Sequence, residues 1–116
     1  MTDLDQLLTL ARAKGSDKAF RLWVSYQPSV LDGGYDWVDG VGRCEAAHVR
    51  RGGKSGTAYK EPYACVPLTW KQHRYQHQHG ERACIERFTG FDVSEEEGKA
   101  WFDQKRMEIL ERWVKS

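Results

Sequence analysis

The chain has 116 residues, a length that suits one small domain with a modest core. Hydrophobic residues make up 40% and charged residues 30%, which is typical of a globular protein and excludes a disordered chain; no apolar run approaches the roughly 18 residues that cross a bilayer. The net charge of +1 excludes a uniformly cationic nucleic-acid binder, so a polyanion would have to bind a local basic surface.

The N-terminus "MTDLDQLLTLARAKG" begins with acidic residues and lacks the pattern of a signal peptide, so we expect a cytoplasmic protein with no membrane partner. The three cysteines, Cys44, Cys65 and Cys84, are odd in number and form no close pair. They argue against both a disulfide framework and a zinc finger, and we expect them to be small buried hydrophobic residues.

Two helices are predicted within residues 1–28. Apolar residues recur at helical spacing over about residues 3–14, and Gly15 ends that helix. Ser16 is a suitable N-cap for a second helix that Pro28 would end. The alternation in "FRLWVSY" is also compatible with a strand.

The middle of the chain predicts short strands and one helix. Residues 29–43 are rich in Gly and Asp and indicate a loop or a loose hairpin. The segments "CEAAHVR" and "YACVPL" indicate two short strands, separated by the Gly-rich basic loop "RGGKSGTAYKEP". Thr69 can cap a short helix that runs to Gly80.

A long C-terminal helix is predicted at about residues 95–114, within the segment 94–115. Ser94 and Glu97 match the capping-box pattern at its start. Its apolar stripe is more typical of core packing than of a ligand platform, and it comprises Trp101, Phe102, Met107, Leu110, Trp113 and Val114. The sequence therefore predicts an α+β fold in a single domain over residues 1–116.

Three of the four histidines lie in "HRYQHQH". His73 and His77 are four residues apart, so on a helix they share one face and can present ring nitrogens to one divalent cation. His79 lies about 240° around the helix from His73 and is expected outside such a site. The spacing alone is a weak indication, because stabilising contacts on the helix face would explain it as well.

The fourth histidine, His48, ends the first predicted strand, so the order is strand histidine, basic loop, second strand and histidine-bearing helix. The segments "CEAAHVRR", "SGTAYKEPY", "VPL" and "HRYQHQHGE" resemble small phage and prophage proteins of the HNH-like (ββα-metal, His-Me finger) nuclease group, which are similar to phage recombination-associated nucleases. The resemblance runs from about Phe20 to Glu81, and its specific part begins at Glu45.

The resemblance implies a ββα-metal core over residues 44–80, flanked by N-terminal helices (1–28) and by the long C-terminal helix. It implies a metal-dependent endonuclease that hydrolyses DNA phosphodiester bonds in phage recombination or DNA processing, within the cytoplasm of a bacterial host. His48 matches the general base, and His73 and His77 match the metal-binding pair. Mg²⁺ or Mn²⁺ is the expected catalytic metal, with Zn²⁺ or Ni²⁺ as alternatives, and the expected substrate is double-stranded or branched DNA.

The basic loop lies between the matched base and the matched metal helix, where its cations would contact phosphates without reading sequence. It carries no acidic residue between His48 and Lys60, and its cationic residues are Arg50, Arg51, Lys54 and Lys60. Arg50 also falls in the family's AHVR motif. A simply solvated loop is the alternative interpretation.

Four positions depart from the family together. Relatives often carry PCxxC and PLCxxHH, and the corresponding positions here are Ser29, Asp32, Thr69 and Gln72. We therefore expect structural zinc to be absent. The stabilising role is expected to have passed to packing, with candidates Trp23, Trp37 and Trp70.

A further departure is Ala47, which stands where many HNH sites have an additional ligand immediately before the base. Water, substrate phosphate or Glu45 would then complete the metal shell. The alternative function is a non-catalytic DNA-binding module on a degenerate HNH scaffold, and a degenerate prophage protein without activity is the simplest fallback.

Overall fold

A computed structural model describes residues 3–49 and 61–116 of the chain. The predicted phosphate contacts Arg50, Arg51, Lys54 and Lys60 lie outside the described residues. In chain order the elements are α1 (Leu4–Lys14), α2 (Asp17–Val24), β1 (Asp36–Val38), β2 (Val41–Arg43), β3 (Glu45–His48), β4 (Cys65–Leu68), α3 (Trp70–His79), α4 (Glu81–Thr89) and α5 (Glu95–Lys115). The predicted α+β class is confirmed.

The N-terminal helices begin at side-chain caps. Asp3 accepts from the backbone N–H of Gln6 at the start of α1, and Ser16 accepts from Ala19 at the start of α2. The second element is therefore a helix, and the alternative of a strand is wrong. It ends at Val24, before Pro28 is reached.

Strands β1 and β2 form a tight antiparallel hairpin in the segment predicted as a loop or loose hairpin. Val38 pairs with Val41 across a two-residue turn. That turn is Asp39–Gly40, and both residues have positive φ, at 50° and 79°. An Asp-Gly pair with this backbone matches the right-handed twist of the flanking strands.

Strands β3 and β4 form a second antiparallel ladder, in which Glu45 pairs with Leu68 and His48 with Cys65. The pairing extends one residue further, because the N–H of Val49 donates to the carbonyl of Ala64 at 2.9 Å. Helix α3 begins two residues after the end of β4. The chain thus runs strand, strand, helix through the region predicted as the core of the fold.

Two clusters of buried side chains pack on opposite faces of the β3–β4 ladder. One cluster joins it to α1, α2 and the end of α5, and consists of Leu7, Ala11, Phe20, Val24, Tyr63, Cys65, Ile109, Leu110 and Trp113. The other joins it to α4 and the start of α5, and consists of Leu31, Ala47, Val49, Val66, Leu68, Cys84, Ile85 and Phe102. Helix α5 covers both faces, as its predicted core role requires.

Helix α3 starts with the capping box formed by Thr69 and Gln72 and ends at Gly80, whose φ of 89° suits glycine. Helix α4 follows at once and has no counterpart among the predicted elements. None of the helices in the described ranges is long and apolar enough to cross a membrane.

Candidate metal centre

Helix α3 brings His73 and His77 together on one face. Their ring centroids are 4.8 Å apart, and the Nε2 atoms of the two rings are 3.1 Å apart. The spacing of four residues places both rings on the same side of the helix. The predicted pair is therefore close enough for both Nε2 atoms to contact one ion.

Glu45 of β3 lies behind this pair. Its Oε1 atom is 2.7 Å from Nδ1 of His73, across the contact between β3 and α3. A proton on Nδ1 that is donated to this carboxylate leaves the lone pair of His73 on Nε2, the atom that faces His77. In the neutral ring with its proton on Nδ1, the contact with Glu45 orients His73 so that Nε2 can bind a cation.

The separation of the two Nε2 atoms fits a shared ion. Two nitrogen ligands about 2.0–2.1 Å from one ion lie roughly 3.0 Å apart at octahedral and roughly 3.3 Å apart at tetrahedral angles. The observed 3.1 Å falls between these values. An ion could therefore be held with little movement of the helix.

The protein supplies few further ligands at this point. Ala47 is fully buried and carries only a methyl group. Within residues 3–49 and 61–116, no cluster of three or more His, Cys, Asp or Glu side chains is arranged to hold a metal ion. Oxygens of water or of a substrate phosphate would have to complete a shell around the two histidines.

His48 lies on the other face of the ladder. It pairs directly with Cys65, which belongs to the core beside α1 and α2, whereas Glu45 pairs with Leu68 in the other core. His48 lies three positions after Glu45, which is roughly 10 Å along an extended strand. The structure thus groups Glu45, His73 and His77, and it places His48 at the far end of β3.

His79 takes part in a different contact. Its ring lies against Tyr75, with centroids 4.4 Å apart, and Tyr75 meets Phe88 edge-on at 5.6 Å. This aromatic contact lies between α3 and α4, as the helical angle between His73 and His79 leads one to expect.

The four positions at which the resemblance implies zinc ligands, Ser29, Asp32, Thr69 and Gln72, lie together in a hydrogen-bonded network. Gln72 is buried at its centre: its Oε1 accepts from the Ser29 hydroxyl at 2.6 Å and from the backbone N–H of Thr69 at 3.0 Å, and its Nε2 donates to Asp32 at 2.9 Å. The Ser29 hydroxyl in turn accepts from the N–H of Leu31. Polar side chains therefore join the loop after α2 to the start of α3.

This network corrects the expectation that tryptophan packing took over the stabilising role. Trp37 is 70% exposed and Trp70 is 53% exposed, so neither fills a core. Trp23 is half-buried, but it packs beside Phe20 in the cluster next to α1. The stabilisation near Gln72 comes from hydrogen bonds.

The cysteine side chains lie in the core. All three are free and buried, as predicted. Burial raises the pKa of Cys84 to about 12, and burial together with the carboxylates of Asp36 and Asp32 raises the pKa of Cys44 to about 11. The raised pKa values mean that the protonated thiols predominate at neutral pH in the absence of a metal ion.

Comparisons with protein-family models, with curated proteins and with solved structures find no match to this chain. The geometry around His73 is therefore the main observation that bears on function. The sequence named Glu45 as one group that could complete the metal shell, but its hydrogen bond to His73 depends on the packing of β3 against α3. Arg74 was not singled out, although Trp70 and Arg74 have the same four-residue spacing as His73 and His77.

Proposed function

We propose that the protein is a metal-dependent endonuclease that hydrolyses DNA phosphodiester bonds, in phage recombination or DNA processing. The observation that carries this proposal is the pair His73 and His77, with Nε2 atoms 3.1 Å apart and Glu45 bonded to Nδ1 of His73. The pair lies on the helix of a strand–strand–helix unit, which is the arrangement expected of an HNH-like finger.

His73 and His77 would hold the divalent cation through Nε2, with Glu45 orienting the first ring. A bound Mg²⁺ or Mn²⁺, with Zn²⁺ or Ni²⁺ as alternatives, supplies positive charge beside the scissile phosphate and the leaving oxygen. Because imidazoles are neutral ligands, they would leave the full charge of the cation available to the phosphate. The Glu45 carboxylate would reduce that charge only indirectly, through the ring of His73.

His48 is the proposed general base, because an imidazole accepts a proton from water near neutral pH. Its position at the end of β3, on the face away from Glu45, limits where the water can lie. A water within hydrogen-bond reach of His48 would lie at that end of β3. The cations of the basic loop, Arg50, Arg51, Lys54 and Lys60, would contact neighbouring phosphates of the DNA.

A non-catalytic DNA-binding module is the second candidate, and two observations favour it. Ala47 offers a buried methyl group where a further ligand is expected, and His48 lies across the ladder from the histidine pair. A scaffold of this kind could still hold DNA through its basic residues without cleaving it.

Cleavage of plasmid and branched DNA in the presence of Mg²⁺, Mn²⁺, Ni²⁺ or Zn²⁺ tests the proposal. We expect cation-dependent nicking that falls by about 100-fold or more in His48→Ala and in His77→Ala. His79→Ala is the matched control, because its ring lies on the same helix against Tyr75 and should leave the rate within about twofold.

The other outcomes separate the candidates. DNA binding without cleavage under every cation would support the binding module. Cleavage that His48→Ala leaves unchanged would show that another group is the base. A protein that neither binds nor cleaves DNA would contradict both candidates.

A further inference from the structure

Helix α3 begins with an exposed aromatic side chain beside a guanidinium. Trp70 is 53% exposed although it is the largest side chain type, and its backbone N–H is held by Asp36 at 2.7 Å. The guanidinium of Arg74 lies over its indole, 5.0 Å from the ring centroid. One face of the helix therefore presents a flat, apolar and cationic surface to solvent.

This surface borders the histidine pair. His73 follows Trp70 by three residues and His77 follows Arg74 by three, so the two pairs form adjacent rows along the same helix. A ligand whose phosphate lies at the histidines would pass beside the indole. The distance between the two rows is that of neighbouring side chains on one helix, on the order of 5–6 Å between Cβ atoms.

The charge of the helix favours a polyanion. Lys71 and Arg74 are both exposed, and residues 70–79 contain no acidic side chain. Another exposed aromatic residue, Phe91, is 69% exposed in an acidic setting, next to Asp92 and shortly before the glutamates that begin α5. Trp70 also has a carboxylate nearby, that of Asp36 on its backbone N–H, but the guanidinium of Arg74 lies over its ring.

We propose that Trp70 and Arg74 bind unpaired bases of single-stranded DNA, with the indole stacking on a base and the guanidinium contacting the adjoining phosphate. Bases within a duplex are already stacked and paired, so their faces are not open to the indole, whereas each base of a single strand offers one. The inference rests on the proposed function, because it concerns the substrate of the same site. That substrate would be DNA with a single-stranded portion beside the scissile bond.

Equilibrium binding of labelled oligothymidylate and of a duplex of equal length, measured by fluorescence anisotropy in EDTA, tests this inference without requiring cleavage. We expect Trp70→Ala to raise the Kd for the single strand by about tenfold and to leave the Kd for the duplex within about twofold. Trp70→Phe should retain most of the affinity, since a phenyl ring also stacks, and Phe91→Ala is the control that should change neither Kd.

An equal loss of affinity for both DNAs, or no loss for either, in Trp70→Ala would overturn the inference. Its failure is distinguishable from failure of the nuclease proposal. Single-strand binding that depends on Trp70 in a protein that cleaves nothing would retain the surface and refute the enzyme. Duplex cleavage by Trp70→Ala at the wild-type rate, together with a wild-type protein that does not prefer single strands, would retain the enzyme and refute the surface.

Discussion

The candidate site depends on which ring nitrogen of His73 carries the proton. The 2.7 Å contact between Nδ1 and Glu45 assigns the proton to Nδ1, because a carboxylate can only accept. Nε2 is then the acceptor that faces Nε2 of His77, at 3.1 Å. Glu45 thereby influences which nitrogen of His73 is available to bind a cation.

Replacement of Glu45 tests this role. We expect Glu45→Ala to weaken Mn²⁺ binding by about 10- to 100-fold, which is the usual effect of losing the partner that orients a ligating histidine. Glu45→Gln keeps an acceptor oxygen and should lose less. Isothermal titration measures the affinity, and nitrogen-15 NMR of the imidazole rings reports the tautomer of His73 separately.

Glu111→Ala is a matched control, because that carboxylate pairs with Lys115 on α5, away from β3. Unchanged Mn²⁺ affinity in Glu45→Ala, with the His73 tautomer also unchanged, would show that the hydrogen bond has no orienting role.

Only part of this arrangement could be read from the sequence. The four-residue spacing identified His73 and His77, because a helix fixes the relative direction of its own side chains. The partner of His73 lies 28 residues away on a strand. Helical periodicity contains no information on which strand packs against that face, so Glu45 could only be named as one of several ways to complete the shell.

The junction between the loop after α2 and the start of α3 is held by polar contacts. Gln72 reaches three partners from a fully buried position, and Ser29 beside it is also buried. Buried polar groups are tolerated when each is hydrogen-bonded, and the whole network then stabilises one arrangement of the loop.

Truncation of Gln72 should be costly. Gln72→Ala leaves the Ser29 hydroxyl and the Thr69 N–H without their acceptor, so we expect a loss of roughly 2–3 kcal/mol in the free energy of unfolding. Gln78→Ala, at an exposed position on the same helix, should change it by less than about 0.5 kcal/mol. Urea unfolding followed by circular dichroism measures both, and equal stabilities of the two variants would contradict the structural role of the network.

Capping residues predicted where helices begin. Ser16, Thr69 and Ser94 each mark the start of a helix, whereas the Asp39–Gly40 turn of the hairpin lies in a segment predicted only as a loop or a loose hairpin. The apolar pattern of α4 is short and follows Gly80 directly, so the sequence does not distinguish this helix from a loop. The exposed Trp37 and Trp70 were expected inside, because composition does not show which large apolar side chains remain at the surface.

Across the whole molecule, the β3–β4 ladder is a thin layer with a core on each face. Alternation places Glu45 and Ala47 toward one core and Ala46 and His48 toward the other. The two-residue period of a strand is visible in the sequence, but the face that α3 covers is not. The separation of His48 from the histidine pair is therefore a result of tertiary packing.

The measurement that tests the central claim most directly is the stoichiometry of Mn²⁺ binding, followed by loss of the free-ion signal in electron paramagnetic resonance. We expect one ion per chain in the wild-type protein. We expect the affinity to fall by about tenfold or more in His73→Ala and in His77→Ala, and to stay at the wild-type value in His79→Ala. Equal binding by all four proteins, or no binding by the wild type, would contradict the assignment of His73 and His77 as a metal-holding pair.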